Sequence, residues 1–154
     1  MSEPGYEQLG AVFTEALAEV ILTATGFSLD SLPPKGDERL FDMIGMMGLY
    51  GKNHGMLYIS LDEAALRVLC SYMIGAAQEE ITRDDLTDAL CELVNMTAGG
   101  AKRQLSGDED AFSLSPPFVV SGRELALTTK RRVQQICGHL GNEELNISMT
   151  VVFY

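Results

Sequence analysis

The chain has 154 residues, a mass of 16.8 kDa, a formal net charge of −11 and a pI near 4.5. That length suits one domain spanning residues 1–154, with enough Leu, Ile, Val and Met for a real core. The acidic balance excludes nucleic acid as a partner, because a phosphate backbone would be repelled rather than steered in. The first ten residues hold acids and Pro instead of a basic leader, and the apolar run after them is interrupted by Glu15 and Glu19. A cytoplasmic protein with no membrane partner is therefore expected.

Tyr6 to Thr25 reads as a helix, with Val12, Ala16, Val20 and Thr23 at helical spacing and Gly26 as its stop. Leu40–Leu49 and Met56–Leu61 read as strands joined by the turn Gly51-Lys52-Asn53-His54-Gly55, which makes a hairpin. Asp62 has the character of an N-cap for a helix through Met73 closed by Gly75, and Thr82 or Asp84 caps a long helix reaching about Leu105. Gly107–Asp110 is an acidic turn, followed by short extended pieces at 112–114 and 118–120. A second hairpin is expected from Arg132–Leu140 and Leu145–Phe153, turned by Gly141-Asn142-Glu143. Hairpins imply a mainly antiparallel sheet, and the helices must bury their apolar stripes against one of its faces. The expected fold is thus a two-layer α+β domain with pseudo-twofold symmetry.

The symmetry is expected because one helix is written twice. Thr87–Gly99 aligns without a gap on Thr14–Gly26, placing Asp88 on Glu15, Glu92 on Glu19 and Asn95 on Leu22. Related phrases follow each copy: Phe27-Ser28-Leu29 leading to Pro33-Pro34, and Phe112-Ser113-Leu114 leading to Pro116-Pro117. In the second copy Asp88, Glu92, Asn95, Gly99 and Lys102 fall within an arc of roughly 80°. Leu86, Leu90, Leu93, Thr97 and Ala101 lie opposite and form the docking stripe.

A polar stripe on a surface helix is ordinarily a solvated face. The repeat weighs against that reading here, because Leu22 shows that the scaffold accepts an apolar residue where the second copy has Asn95. Asn is a poor helix former, and Gly99 and Gly100 each cost about 1 kcal/mol relative to Ala unless they simply end the helix. Lys102, Arg103 and Gln104 favour continuation, so the glycines would clear space for a partner beside Asn95. Cys70, Cys91 and Cys137 contain no Cys-x-x-Cys pair and read as reduced core thiols, and the two scattered imidazoles, His54 and His139, are too few for a triad or a histidine metal site.

Asp88-x-x-x-Glu92-x-x-Asn95 with Met96, Gly99, Ala101 and Lys102, together with the block Ser115-Pro116-Pro117-Phe118-Val119-Val120 and Gly122, resembles the CheC, CheX and FliY phosphatases of bacterial chemotaxis. CheC-type members generally carry two such helices. With Leu22 in the first copy, this chain is closer to the CheX type. The resemblance implies hydrolysis of the aspartyl phosphate on a CheY-type response regulator, with Glu92 and Asn95 catalytic. Asn95 would orient the attacking water and Glu92 would pair with the regulator's active-site lysine. Asp88, Gly99 and Lys102 would contact the partner. Mg2+ would belong to the regulator, and this chain would carry no metal or cofactor of its own. Glu19 and Leu22 would be catalytically silent, serving core or interface. A homodimer is also implied, with the strand Leu145–Tyr154 as an unpaired edge. Two other readings compete: a regulator-binding module without catalysis, and a metal or glycosidase carboxylate pair made of Asp88 and Glu92. The second of these has too few donors and no flanking cleft.

Overall fold

A computed structural model describes residues 5–33, 40–51, 54–105, 112–129 and 134–154. In chain order its elements are α1 (Tyr6–Thr25), β1 (Asp30–Ser31), β2 (Phe41–Tyr50), β3 (Gly55–Leu61), α2 (Glu63–Ile74), a 3₁₀ turn (Gln78–Glu80), α3 (Arg83–Leu105), β4 (Ser113–Leu114), β5 (Phe118–Leu125), β6 (Gln134–Gly141) and β7 (Asn146–Phe153). The strands form one antiparallel sheet in the order β1-β6-β7-β3-β2-β4, with β5 also paired to β2. The α+β expectation holds.

Local chemistry sets the helix ends. Gly26 closes α1 at φ 80°, donating its N–H to the Leu22 carbonyl at 2.8 Å, and Gly75 closes α2 at φ 69°, donating to Ser71 at 3.0 Å. Glycine enters this left-handed region without a Cβ penalty. At the start of α3, the Asp85 N–H donates to Thr82 Oγ1 at 3.1 Å and the Thr82 N–H donates to Asp85 Oδ2 at 2.9 Å. This reciprocal capping box selects Thr82 over Asp84 as the cap. Asp62 holds the N-cap position of α2, yet its side chain makes no capping bond. Asp42 on β2 does so instead, accepting the Glu63 N–H at 3.1 Å.

Both long helices lie on the same face of the sheet, and the register proves it. Gly138 pairs with Met149, Met149 with Ile59, Ile59 with Gly45 and Gly45 with Val119, so these five residues point the same way across five strands. A Cβ on Gly45 would strike Leu90 and Val94 of α3, and one on Gly138 would strike Thr14 of α1. Each helix therefore crosses the hairpin of the other half of the chain, α1 over β6 and α3 over β2. The layer between them is closed by Phe13, Leu17, Ile21, Leu57, Ile59, Leu90, Leu93 and Val151, all fully buried. At about 25 cal/mol per Å² of apolar surface, this burial is the main favourable contribution to folding.

One expectation fails. The last strand is no edge: β7 sits inside the sheet, paired to β6 along Asn146–Phe153 and to β3 along Ser148–Phe153. Its composition explains the placement, since Ile147, Met149, Val151, Val152 and Phe153 are all buried and would be wasted on a solvated margin. The margin on the β2 side is β5, which pairs with β2 alone among the described residues. It runs five residues beyond its expected end at Val120, to Leu125. The acidic turn Gly107–Asp110, the expected strand start at Arg132, Lys52-Asn53 and Pro34 lie outside the described residues.

Candidate functional site

Helix α3 presents two faces, as its spacing requires. Leu86, Leu90, Leu93, Thr97 and Ala101 are buried against the sheet and α1, whereas Asp88, Glu92 and Asn95 are exposed and Gly99 and Lys102 half-buried. The helix runs unbroken through Gly99 and Gly100 to Leu105, so the glycines do not end it. Nor does packing demand them. A Cβ on Gly99 would have the Arg103 guanidinium as its nearest neighbour at 3.5 Å, and one on Gly100 would meet the Ala16 Cβ at 3.5 Å, both ordinary contacts. What the two glycines do is keep a surface low.

That surface is the floor of an open groove of about 700 Å³ between α1 and α3. Glu92, Asn95, Met96, Gly99 and Arg103 line it from α3, and Glu19, Val20 and Thr23 from α1. Three of the five expected residues, Glu92, Asn95 and Gly99, are thus brought together. Asp88 and Lys102 lie on the same helix face but not on the groove. Among the described residues, neither Glu92 nor Asn95 has a hydrogen-bond or ion-pair partner. Leu22 is 51 % exposed, which rules out a core role for it. The α1 wall was not foreseen as part of the site, although the alignment of Glu19 with Glu92 was its signal in the sequence.

Of the three thiols expected in the core only Cys70 is buried, whereas Cys91 is half-buried on α3 and Cys137 is exposed on β6; Cys70 and Cys91 are poor nucleophiles. Burial, with the Asp88 carboxylate adding to it, pushes the Cys91 thiol above its ordinary range, and burial assisted by Asp85 does the same for Cys70. Both stay protonated at neutral pH. His139 lies far from α3 in the sheet, with Nδ1 3.0 Å from Ser148 Oγ. Among the described residues no three His, Cys, Asp or Glu side chains gather as a metal cage, so Asp88 and Glu92 acquire no third ligand. Among the same residues no helix is long and apolar enough to cross a membrane.

Residues 43–140, which contain the whole of α3, match the family described as chemotaxis phosphatase CheX. The chain belongs to this family. At 35% identity over 89 residues it is similar to the CheY-P phosphatase CheX of Thermotoga maritima. The aligned stretch covers 57% of this chain and 55% of that CheX, so the match spans about half the length of the relative. The fold is close to that of CheX from Vibrio vulnificus, with a TM-score of 0.85 at 25% identity, covering 95% of this chain and 99% of that one. CheX of Borrelia burgdorferi, whose structure is of a complex with CheY, BeF3 and Mg2+, shares the fold at a TM-score of 0.76 and 15% identity, covering 93% and 96%. The family match begins at Met43, so α1 precedes it and the groove joins a matched wall to an unmatched one.

Proposed function

We propose that this chain is a cytoplasmic phosphatase that hydrolyses the aspartyl phosphate of a CheY-type response regulator in chemotaxis, working as a single domain over residues 1–154. The observation that carries the reading is the pair Glu92 and Asn95, exposed one turn apart on the groove of a CheX-family helix and unpartnered among the described residues. An acyl phosphate is labile and needs an oriented water more than a strong base. Asn95 supplies that orientation: its side-chain oxygen accepts a hydrogen bond from water and holds it in line with the phosphorus. The water oxygen bonds to phosphorus, the bond to the aspartyl oxygen breaks with its electrons on the carboxylate, and the water proton passes to phosphate or solvent. Glu92 pairs with the regulator's lysine and fixes the register of the helix. Gly99 allows close approach, and Asp88 and Lys102 contact the partner at the two ends of the stripe. Mg2+ is supplied by the regulator, where it neutralises phosphate charge.

The expected homodimer is assigned to the β5 margin rather than to β7. Phe118 and Val120 are 50% and 41% exposed there, on a strand that pairs with β2 alone among the described residues.

The deciding experiment is the lifetime of a phosphorylated CheY-type regulator with Mg2+, alone and with catalytic amounts of wild type or Asn95→Ala. Wild type shortens it and Asn95→Ala does not. If neither shortens it across the receiver domains of the host, the chain is a regulator-binding module without catalysis.

A further inference from the structure

Building on the phosphatase reading, we propose that the regulator is held by both walls of the groove, and that α1, though catalytically silent, sets specificity through Glu19. A partner that reaches Asn95 and Glu92 must cover the low floor at Gly99, Gly100 and Ala16, and beyond that floor stands α1. Its wall is formed by Val20, which is buried, and by Glu19 and Thr23, which are exposed. Glu19 has no hydrogen-bond or ion-pair partner among the described residues. The repeat aligns it with Glu92, and the groove carries these two carboxylates on opposite walls, with Ala16 and Met96 as apolar lining between them and Arg103 further along the α3 wall.

Two acids on one groove, neither of them ion-paired among the described residues although Arg103 also lines it, suit a basic side chain, and the apolar lining suits its methylene stem. The occupant is therefore a segment of the regulator beside its phosphorylation pocket that carries Lys or Arg. In this arrangement Glu92 takes the regulator's active-site lysine, and Glu19 takes a second basic side chain outside the reacting centre. Such a contact is made equally in ground and transition states, so it acts on KM and leaves kcat alone. The bland alternative is a solvated acid on a surface helix, which contributes nothing to either constant.

Steady-state dephosphorylation with Glu19→Gln, Glu19→Lys and Glu15→Lys separates these readings. Glu15 is exposed one turn earlier and does not line the groove. Each lysine variant moves the net charge from −11 to −9. Against an acidic regulator that general change lowers KM, and Glu15→Lys reports it. Glu19→Lys is expected to move KM the opposite way, upward, and Glu19→Gln to raise it by roughly two- to fivefold. The kcat is unchanged in both, and the Glu19→Gln effect fades in high salt. If wild type is active and Glu19→Lys behaves like Glu15→Lys, the second wall is wrong and the phosphatase stands. If wild type fails to shorten the phosphate lifetime, the phosphatase reading falls and this inference falls with it.

Discussion

Gly45 of β2 lies directly beneath Leu90 of α3, so close that a Cβ on Gly45 would come within 2.8 Å of Leu90 Cγ and 2.7 Å of Val94 Cγ2. Branched carbons of a buried helix face cannot yield as a flexible chain end can, so a methyl group here must lift the helix. Gly45→Ala is expected to destabilise the fold by about 1–3 kcal/mol, the usual result of overpacking a core. Because Asn95 follows Val94, the lift also displaces the stripe proposed to be catalytic. The urea midpoint falls, and kcat drops in the folded fraction that remains. An unchanged midpoint would show that α3 is seated more loosely than this contact implies.

Gly99 poses the opposite case. Its surroundings leave ordinary room for a side chain, and alanine is preferred over glycine in a helix interior by about 1 kcal/mol. Gly99→Ala therefore raises stability while placing a methyl group on the groove floor one turn beyond Asn95. The expected outcome is a higher Tm together with a several-fold higher KM for the phosphorylated regulator. A gain in both stability and activity would refute the role given to this glycine.

Much of this was legible because it is local. The ends of α1 and α2 are written in Gly26 and Gly75, and the start of α3 in Thr82 and Asp85. The two faces of α3 follow from residue spacing alone, which a 3.6-residue period turns directly into buried Leu90 and Leu93 and exposed Glu92 and Asn95. What stayed hidden depends on residues far apart in the chain. Asp42 caps α2 across 21 residues of sequence. The inner position of β7 follows from pairing with β3, for which a single strand's pattern carries no address. The α1 wall of the groove was half legible: the repeat aligned Glu19 with Glu92, but only the packing of the two helices sets them on one groove. Glu19 and Leu22, grouped by sequence as one silent site, separate in the structure, since Glu19 lines the groove and Leu22 does not.

The capping box predicts an acid dependence of defined sign. The Thr82 backbone N–H and, after it, the Thr82 hydroxyl hold the Asp85 carboxyl below its ordinary value of 3.8. A group whose folded pKa is depressed stabilises the fold above the unfolded pKa and loses that contribution as pH falls through the folded one. Asp85→Asn is therefore less stable than wild type at pH 7, and the gap narrows once the pH drops below 3.8. Thr82→Ala costs about 1 kcal/mol, the ordinary loss of an N-cap side chain. Urea unfolding of the three proteins at several pH values checks both statements, and a gap that widened in acid would reverse the assignment.

The repeat allows a test of the role proposed for Asn95 that subtraction alone cannot give. Leu22 occupies the place in α1 that Asn95 occupies in α3, is 51% exposed, and follows Glu15 and Glu19 as Asn95 follows Asp88 and Glu92. In an Asn95→Ala background, Leu22→Asn restores a side-chain oxygen capable of holding water, on exposed α1 surface one turn beyond Glu19 and outside the groove lining itself. Helix α1 stops at Thr25, one turn past Leu22, whereas α3 runs to Leu105 and carries Lys102 and Arg103 beyond its asparagine. Helix α1 can therefore grip the regulator only partly when it takes the inserting role. The double variant is expected to dephosphorylate the regulator faster than Asn95→Ala alone and well below wild type, with kcat/KM as the readout. No recovery, with binding retained, would mean that the water is placed by the whole α3 stripe and not by a carboxamide one turn from a carboxylate.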